Sequence, residues 1–238
     1  MTKGELIFDG FEKQVFATDD SEQVIFRFKD VATAFNDVKT ALFPRKGIVN
    51  NRISGILMKC LSDNGIYTHF IKSVGEREQL CRKCSVIPLE IVVRNYIAGS
   101  LADRLAIEEG TKPATVIYDI YYNDSSLGDP MINDSQAVAL GIVRKDELSQ
   151  IYSAACTANE CLSGLFSKVG IRLVDFKLEF GRDSAGRLML TDEISPDTCR
   201  LWDEATGQRL DKDRFRHDLG NIMPSYEEVL NRLISINQ

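Results

Sequence analysis

The stretch VDFKLEF, from Val174 to Phe180, constrains the fold more than any other part of the chain. Its apolar and charged residues alternate strictly. An extended strand therefore puts Val174, Phe176, Leu178 and Phe180 on one face and Asp175, Lys177 and Glu179 on the other. Turn-forming residues follow at 182–186, and Leu188, Met189 and Leu190 carry the chain back, so 171–194 reads as a β-hairpin. The return brings Asp192 and Glu193 towards Glu179. Carboxylates crowded at one end of a hairpin repel one another, which either raises a pKa or calls for a cation. Oxygen ligands that include one or two carboxylates suit Mg²⁺ carrying nucleotide phosphates. The alternative is a solvated, salt-bridged strand face. The rigid polar turn Ser195-Pro196-Asp197, followed by Arg200, weighs against that alternative.

The rest of the chain divides around residue 83. Short β-rich runs at 6–8, 14–17 and 23–28 are separated by turn residues. Residues 51–64 show helical spacing through Ile53, Ile56, Leu57, Cys60 and Leu61, with Gly65 as the cap. Further strands are expected at 68–73 and 84–87, and another at 89–95 after Pro88. A helix is expected to begin at Ser100, with Asp103 as capping-box partner and Gly110 as its end. An amphipathic helix spans 146–169 and stops at Gly170, and a terminal helix covers 226–236. The expected class is α+β in two lobes. A small antiparallel β-rich lobe, 1–83, covers a nucleotide, and a larger α+β lobe, 84–238, holds substrate and metal.

Composition excludes several classes. The net charge of −6 is wrong for a general nucleic-acid or membrane-surface binder, which needs extended basic surface. No apolar run approaches the roughly 20 residues that span a bilayer. The opening MTKGELIFDG lacks the apolar stretch of a signal peptide, so a cytoplasmic location is expected. Of the 6 cysteines only Cys81 and Cys84 have C-x-x-C spacing, with His69 and His217 the available histidines. Reduced, buried thiols are the expected state.

Two further constellations bear on chemistry. In VVRNYIAGS, a strand delivers Arg94 and Gly99-Ser100 opens a helix, a combination that attracts phosphate. An ordinary N-cap beside a surface arginine is the alternative. In FDGFEK, Gly10 makes a turn with Lys13 close by, which can close over nucleotide phosphates or be any hairpin with a solvated lysine.

Taken in order, the strings FKDVATAF (28–35), GIVNNRIS (47–54), REQL (77–80), IPLEIVVRNYIAGSL (87–101), IEEGT (107–111), LGDPMIND (127–134), VDFKLEFG (174–181), DEISPDTCRLWD (192–203) and LDKDRFRHDLG (210–220) resemble the SAICAR synthetase family, from about Leu6 to Leu230. The resemblance implies an ATP-dependent carbon–nitrogen ligase of de novo purine biosynthesis. Such an enzyme joins L-aspartate to carboxyaminoimidazole ribonucleotide, with ATP cleaved to ADP and phosphate. It implies a small lobe like the N-lobe of protein kinases, ATP between the lobes, Mg²⁺ as cofactor, and a homodimer or larger oligomer. By position, it implies that Glu179 and Asp192 hold Mg²⁺ on ATP and that Gly10 and Lys13 lie over the phosphates. Val15 would pack the adenine against a hinge from Arg82 to Ile87 that includes Val86. Arg94, Ser100 and Arg200 would grip the ribonucleotide, with Asp175, Lys177 and Asp197 around its ribose and carboxylate. Lys13 and Lys177 would neutralise charge as the phosphoryl group moves.

The chain departs from the family pattern twice. The turn usually reads Gly-Lys-Ala/Ser-Lys, and here it is Gly10-Phe11-Glu12-Lys13. Many members have lysine where this chain has Asn123. Two cations near anionic ligands are thus missing. A non-catalytic nucleotide-binding protein on the same scaffold is the rival reading from another class. A kinase-like phosphotransferase is a remote one, since neither His-Arg-Asp nor Asp-Phe-Gly occurs.

Overall fold

The computed structural model describes residues 2–34 and 38–236; Phe35, which closes the string FKDVATAF, lies outside them. Strands β1 (Lys3–Asp9), β2 (Lys13–Thr18) and β3 (Gln23–Phe28) form where the β-rich runs place them. A two-stranded ribbon of β4 (Val31–Ala34) and β5 (Lys39–Leu42) follows, then helix α1 (Lys46–Asp63). Next come β6 (Phe70–Gly75) and β7 (Glu78–Arg82), which complete an antiparallel sheet ordered β1-β2-β3-β7-β6. The strand expected at 68–73 is displaced, and Thr68 makes only an isolated bridge to Leu190. Strand β7 was not expected, because its charged ends mask the buried Leu80 and Cys81.

The second sheet holds β8 (Ser85–Arg94), β9 (Ile117–Tyr122), β10 (Met131–Ile132), β11 (Ile171–Arg182), β12 (Leu188–Thr191) and β13 (Cys199–Asp203). Its order is β10-β9-β8-β11-β12, with β13 also paired to β11. Between these strands lie α2 (Ser100–Leu105), α3 (Asp134–Ala139) and α4 (Lys145–Ser167); α5 (Asp213–Arg216) and α6 (Met223–Ser235) follow. The alternation in β11 does what its spacing requires, for Phe176, Leu178 and Phe180 enter the main core. There they meet Ile151, Ala155, Ala158, Leu162 and Phe166, the apolar stripe of α4 at helical spacing. Helix α1 packs on α6 and α4.

Three expected boundaries are corrected. Helix α1 begins five residues before Asn51, at Lys46, after Arg45 in the left-handed region at φ 73. Lys46 and Asn50 are buried, and as polar residues they hide the helical stripe. Strand β8 runs through Pro88 without a break, because its pairing with β11 shifts register between Glu179/Glu90 and Gly181/Val86 and Pro88 sits in that irregularity. Helix α2 has only 6 residues and ends at Ala106, so Gly110 is not its cap.

Candidate active site

Three strands converge on one carboxylate. Pairing of β11 with β8 sets Asp175 opposite Arg94, and pairing of β11 with β13 sets it opposite Arg200. Arg94 Nη1 and Arg200 Nη1 both donate to Asp175 Oδ2, at 2.9 and 2.7 Å. Arg94 Nε reaches Asp119 on β9 at 2.7 Å. Arg200 Nε reaches Asp213 on α5 at 2.8 Å, and Arg216 Nη1 donates to the other Asp213 oxygen at 2.6 Å. The result is an alternating chain, Asp119–Arg94–Asp175–Arg200–Asp213–Arg216, in which charge is balanced. Burial alone would raise the Asp213 carboxyl, but Arg200 and Arg216 hold it down at about 2. Such charge-assisted pairs fix their side chains rigidly.

Of these groups Arg94, Asp175, Arg200 and Arg216 border a cavity of about 310 Å³ that also takes in Ser100, Lys177 and Asp197. All six residues expected at the ribonucleotide are thus brought together there. Arg216, which sequence reasoning missed, joins them from α5. Their states differ. Lys177 is exposed and pairs with Glu90 at 2.9 Å. Arg94 is 2% exposed and already engaged by two carboxylates and Tyr121, so it orders the wall more than it reaches into the space. Asp197 is fully enclosed. It takes an ion pair from Lys46, a 2.6 Å bond from Asn50 Nδ2 and another of 2.6 Å from Tyr226. Burial alone would raise the Asp197 carboxyl, but Lys46 and Lys212 hold it down at about 2.

The Gly99–Ser100 helix start departs from expectation. Gly99, not Ser100, is the N-cap, at φ 55 and ψ −137, and no side chain caps α2. The Gly99 N–H donates to Glu109 at 2.8 Å rather than standing open for phosphate. A Cβ at residue 99 would run into the Arg200 guanidinium, so glycine is what allows that arginine to lie where it does.

The far end of the hairpin is different. Pairing of β11 with β12 sets Glu179 opposite Thr191, with Asp192 next, turned by a left-handed backbone at φ 64. Lys13 from β2 makes an ion pair with Asp192 and lies 3.2 Å from Glu193. Burial works against the Lys13 charge, but Asp192, Glu193 and Glu179 outweigh it and raise its pKa. Burial, then the Asp192 charge, pushes Glu179 up to about 8. Where the family often has lysine, Asn123 Nδ2 donates only a neutral hydrogen bond to Glu179, at 3.0 Å. Four carboxylates, Glu90, Glu179, Asp192 and Glu193, here share the ammonium groups of Lys13 and Lys177. A hard-oxygen donor set with surplus negative charge fits a divalent cation.

The expected adenine contacts are placed less closely. Val15 is half-buried on β2, opposite Phe26, and Val86 is exposed on β8. The Arg82 side chain turns away from that face; it donates to the Thr68 carbonyl at 2.9 Å and stacks over Tyr67. It therefore does not replace the missing cations. Burial pushes the Cys81 thiol up, and the Cys84 thiol too, the reverse of a thiolate ligand's environment. The turn at Gly10 closes through a Gly10 N–H to Lys13 carbonyl bond of 2.9 Å, and Phe11 at its tip is exposed. The supporting groups Lys46, Asn50, Asp119, Asp213 and Tyr226 escaped sequence reasoning. Each comes from an element far from the hairpin, and only the strand pairing and helix packing reveal them.

A family model described as SAICAR synthetase matches residues 6–233. A phosphoribosylaminoimidazole-succinocarboxamide synthase of Clostridium kluyveri is 52% identical over 233 residues, 98% of this chain and 99% of that protein. The crystal structure of the enzyme of that name from Ehrlichia chaffeensis superimposes with a TM-score of 0.94 at 47% identity, covering 96% of this chain and 98% of the other. A SAICAR synthetase in complex with ADP superimposes with a TM-score of 0.93 at 45% identity, covering 96% and 97%.

Proposed function

The chain belongs to the SAICAR synthetase family, and on that premise we propose how its two charged regions divide the work of an ATP-dependent ligase. The reaction joins L-aspartate to the carboxylate of carboxyaminoimidazole ribonucleotide, giving SAICAR, ADP and phosphate in purine biosynthesis. The observation that carries the assignment is the cavity between Arg94, Asp175, Lys177, Arg200 and Arg216, which adjoins the Glu179–Asp192–Lys13 cluster through the Lys177–Glu90 pair. A ribonucleotide with two anionic groups, a phosphate and a carboxylate, fits the first region, and the phosphates of ATP fit the second. That a similar structure is an ADP complex supports the second.

A carboxylate does not acylate an amine, because oxide would have to leave. Transfer of the γ-phosphoryl group to the substrate carboxylate forms an acyl phosphate and releases ADP. The aspartate amine then attacks the carbonyl carbon, and phosphate departs with one former carboxylate oxygen while the amine loses a proton. Lys13, kept protonated by its carboxylates, faces the transferring phosphoryl group, and Lys177 on the opposite flank holds the substrate carboxylate in line. Glu179 and Asp192 would hold Mg²⁺, which screens phosphate charge when bound. Arg200 and Arg216, fixed by Asp175 and Asp213, hold the ribonucleotide phosphate, and Ser100 adds its hydroxyl. The Gly10 turn lies over the ATP phosphates. Val15, with the backbone of Arg82 through Val86, forms the adenine wall.

Residues 1–83 serve as the nucleotide-covering unit and 84–238 as the substrate unit. Among the described residues no helix is long and apolar enough to cross a membrane; a cytoplasmic homodimer is the proposed form.

A coupled assay for ADP tests the reading. Sustained ADP turnover should require ribonucleotide and L-aspartate together, and ¹⁸O in the ribonucleotide carboxylate should emerge in phosphate. Tight nucleotide binding without ADP release would favour the non-catalytic rival. ADP release without ¹⁸O in phosphate would remove the acyl phosphate.

A further inference from the structure

We propose that Glu12, the acid set into the glycine turn, is a positioning residue for the nucleotide: its ion pair with Lys212 clasps the turn to the substrate side and so holds Lys13 over the phosphates. The proposal rests on the nucleotide site assigned above and adds a residue to it.

The turn itself is weakly anchored. It leaves β1, an edge strand that is mostly exposed and whose pairing with β2 slips register twice. Locally the turn is held by Lys29, whose N–H donates to the Glu12 carbonyl at 2.8 Å and whose ammonium donates to the Gly10 carbonyl at 2.6 Å. Those bonds fix the turn to its own sheet and not to Asp192 and Glu193.

Two side chains of the turn do cross. Lys13 reaches Asp192 and Glu193. Glu12 Oε1 accepts from Lys212 Nζ at 2.6 Å and from the Thr33 N–H at 3.0 Å. The Lys212 side chain is 8% exposed and that of Glu12 16%, so the pair is little screened. Lys212 is itself fixed, its N–H donating to the Pro196 carbonyl at 3.0 Å. Glu12 thereby ties the turn to the segment that carries Asp197, 200 residues away in Glu12–Lys212 sequence separation.

Charge makes this tie distinct from that of Lys13. The carboxylates of Glu12, Glu193 and Asp197 lie within 4.8 Å of one another. Each has a lysine, namely Lys212, Lys13 and Lys46 respectively. Lys13 must turn its ammonium to the phosphates when nucleotide enters. Glu12–Lys212 changes no partner, so it is the tie that keeps the turn in place as Lys13 shifts. A family lysine at residue 11 would contact phosphate directly; this chain has the exposed Phe11 there and anchors the turn from beneath through the next residue.

The test uses the intact chain with Glu12→Gln, Lys212→Met and both together, thermal unfolding being checked in each. A swapped pair, Glu12→Lys with Lys212→Glu, covers the case in which a single variant folds poorly. Each single change should raise KM for ATP and the Kd for ADP with Mg²⁺, read by calorimetry, about tenfold. KM for ribonucleotide should stay within about twofold in Glu12→Gln, and the double variant should be no worse for ADP affinity than either single one. ADP affinity unchanged in both folded singles would overturn the proposal, as would equal shifts in KM for all three substrates. If the parent released no ADP with ribonucleotide and aspartate, the assigned reaction would fall, while the ADP affinities would still decide the role of Glu12.

Discussion

The two ends of β11 treat charge in opposite ways. At the Asp175 end, three carboxylates and three guanidinium groups alternate in one chain, each arginine fork matched to an oxygen pair or shared oxygen. At the Glu179 end, Glu90, Glu179, Asp192 and Glu193 share two ammonium groups. The first arrangement pairs every charge within the protein, so it is rigid and shaped in advance. The second has more carboxylates than ammonium groups to pair them. A substrate recognised by shape and phosphate geometry suits the balanced end, and a nucleotide that brings its own cation suits the unbalanced one. One strand, reading VDFKLEFG, thus carries a balanced wall and an unbalanced one four residues, roughly 13 Å, apart along its polar face.

Breaking the balanced end should have the largest effect. Asp175→Ala leaves two guanidinium groups without their shared carboxylate. Stability measured by denaturant unfolding should fall by about 3–5 kcal/mol, and turnover should be lost with it. An unchanged midpoint would mean that the arginines are solvated rather than locked. At the unbalanced end the fold should survive and chemistry fail. Lys13→Ala should lower kcat by roughly 10²–10³ with little change in melting temperature. A comparable stability loss at both ends would erase the distinction.

Acid should separate the ends next. The carboxyls of Asp197 and Asp213 sit at about 2 in the folded chain against an ordinary 3.8. A depressed folded pKa gives stability that is fully present above about pH 4 and is lost as pH falls towards 2. The chain should therefore lose stability across that window, and Asp197→Asn or Asp213→Asn should flatten the slope. The smallest change tests the charge deficit directly. Asn123→Lys places a cation beside Glu179, and KM for ATP should fall by about three- to tenfold. A rise would mean that the amide, not the missing charge, serves the site.

What the sequence revealed follows the same division. The hairpin, α4 and the first three strands announce themselves because their apolar spacing has no polar interruption. The start of α1 does not, since Lys46 and Asn50 are buried for the sake of Asp197 and read as surface residues. Pro88 looked like a strand end, and a register shift absorbs it instead. Ser100 looked like a cap, whereas the positive φ of Gly99 makes glycine the cap and leaves the serine hydroxyl for the cavity. Residues expected at the ribonucleotide gather in one cavity because they sit on neighbouring strands, where position in a pattern and position in space coincide. Arg216 and Asp213 were invisible because a four-residue helix with no periodicity of its own carries them.

Gly99 and Arg200 also bind the history of this chain to its chemistry. A lineage cannot trade Gly99 for a larger residue while Arg200 remains, because the new side chain and the guanidinium claim the same space. Nor can it give up Arg200 first without breaking the charge chain through Asp175 and Asp213. Residue 99, already held at a positive φ that favours glycine, and Arg200 thus share one arrangement, although 101 residues apart in the numbering.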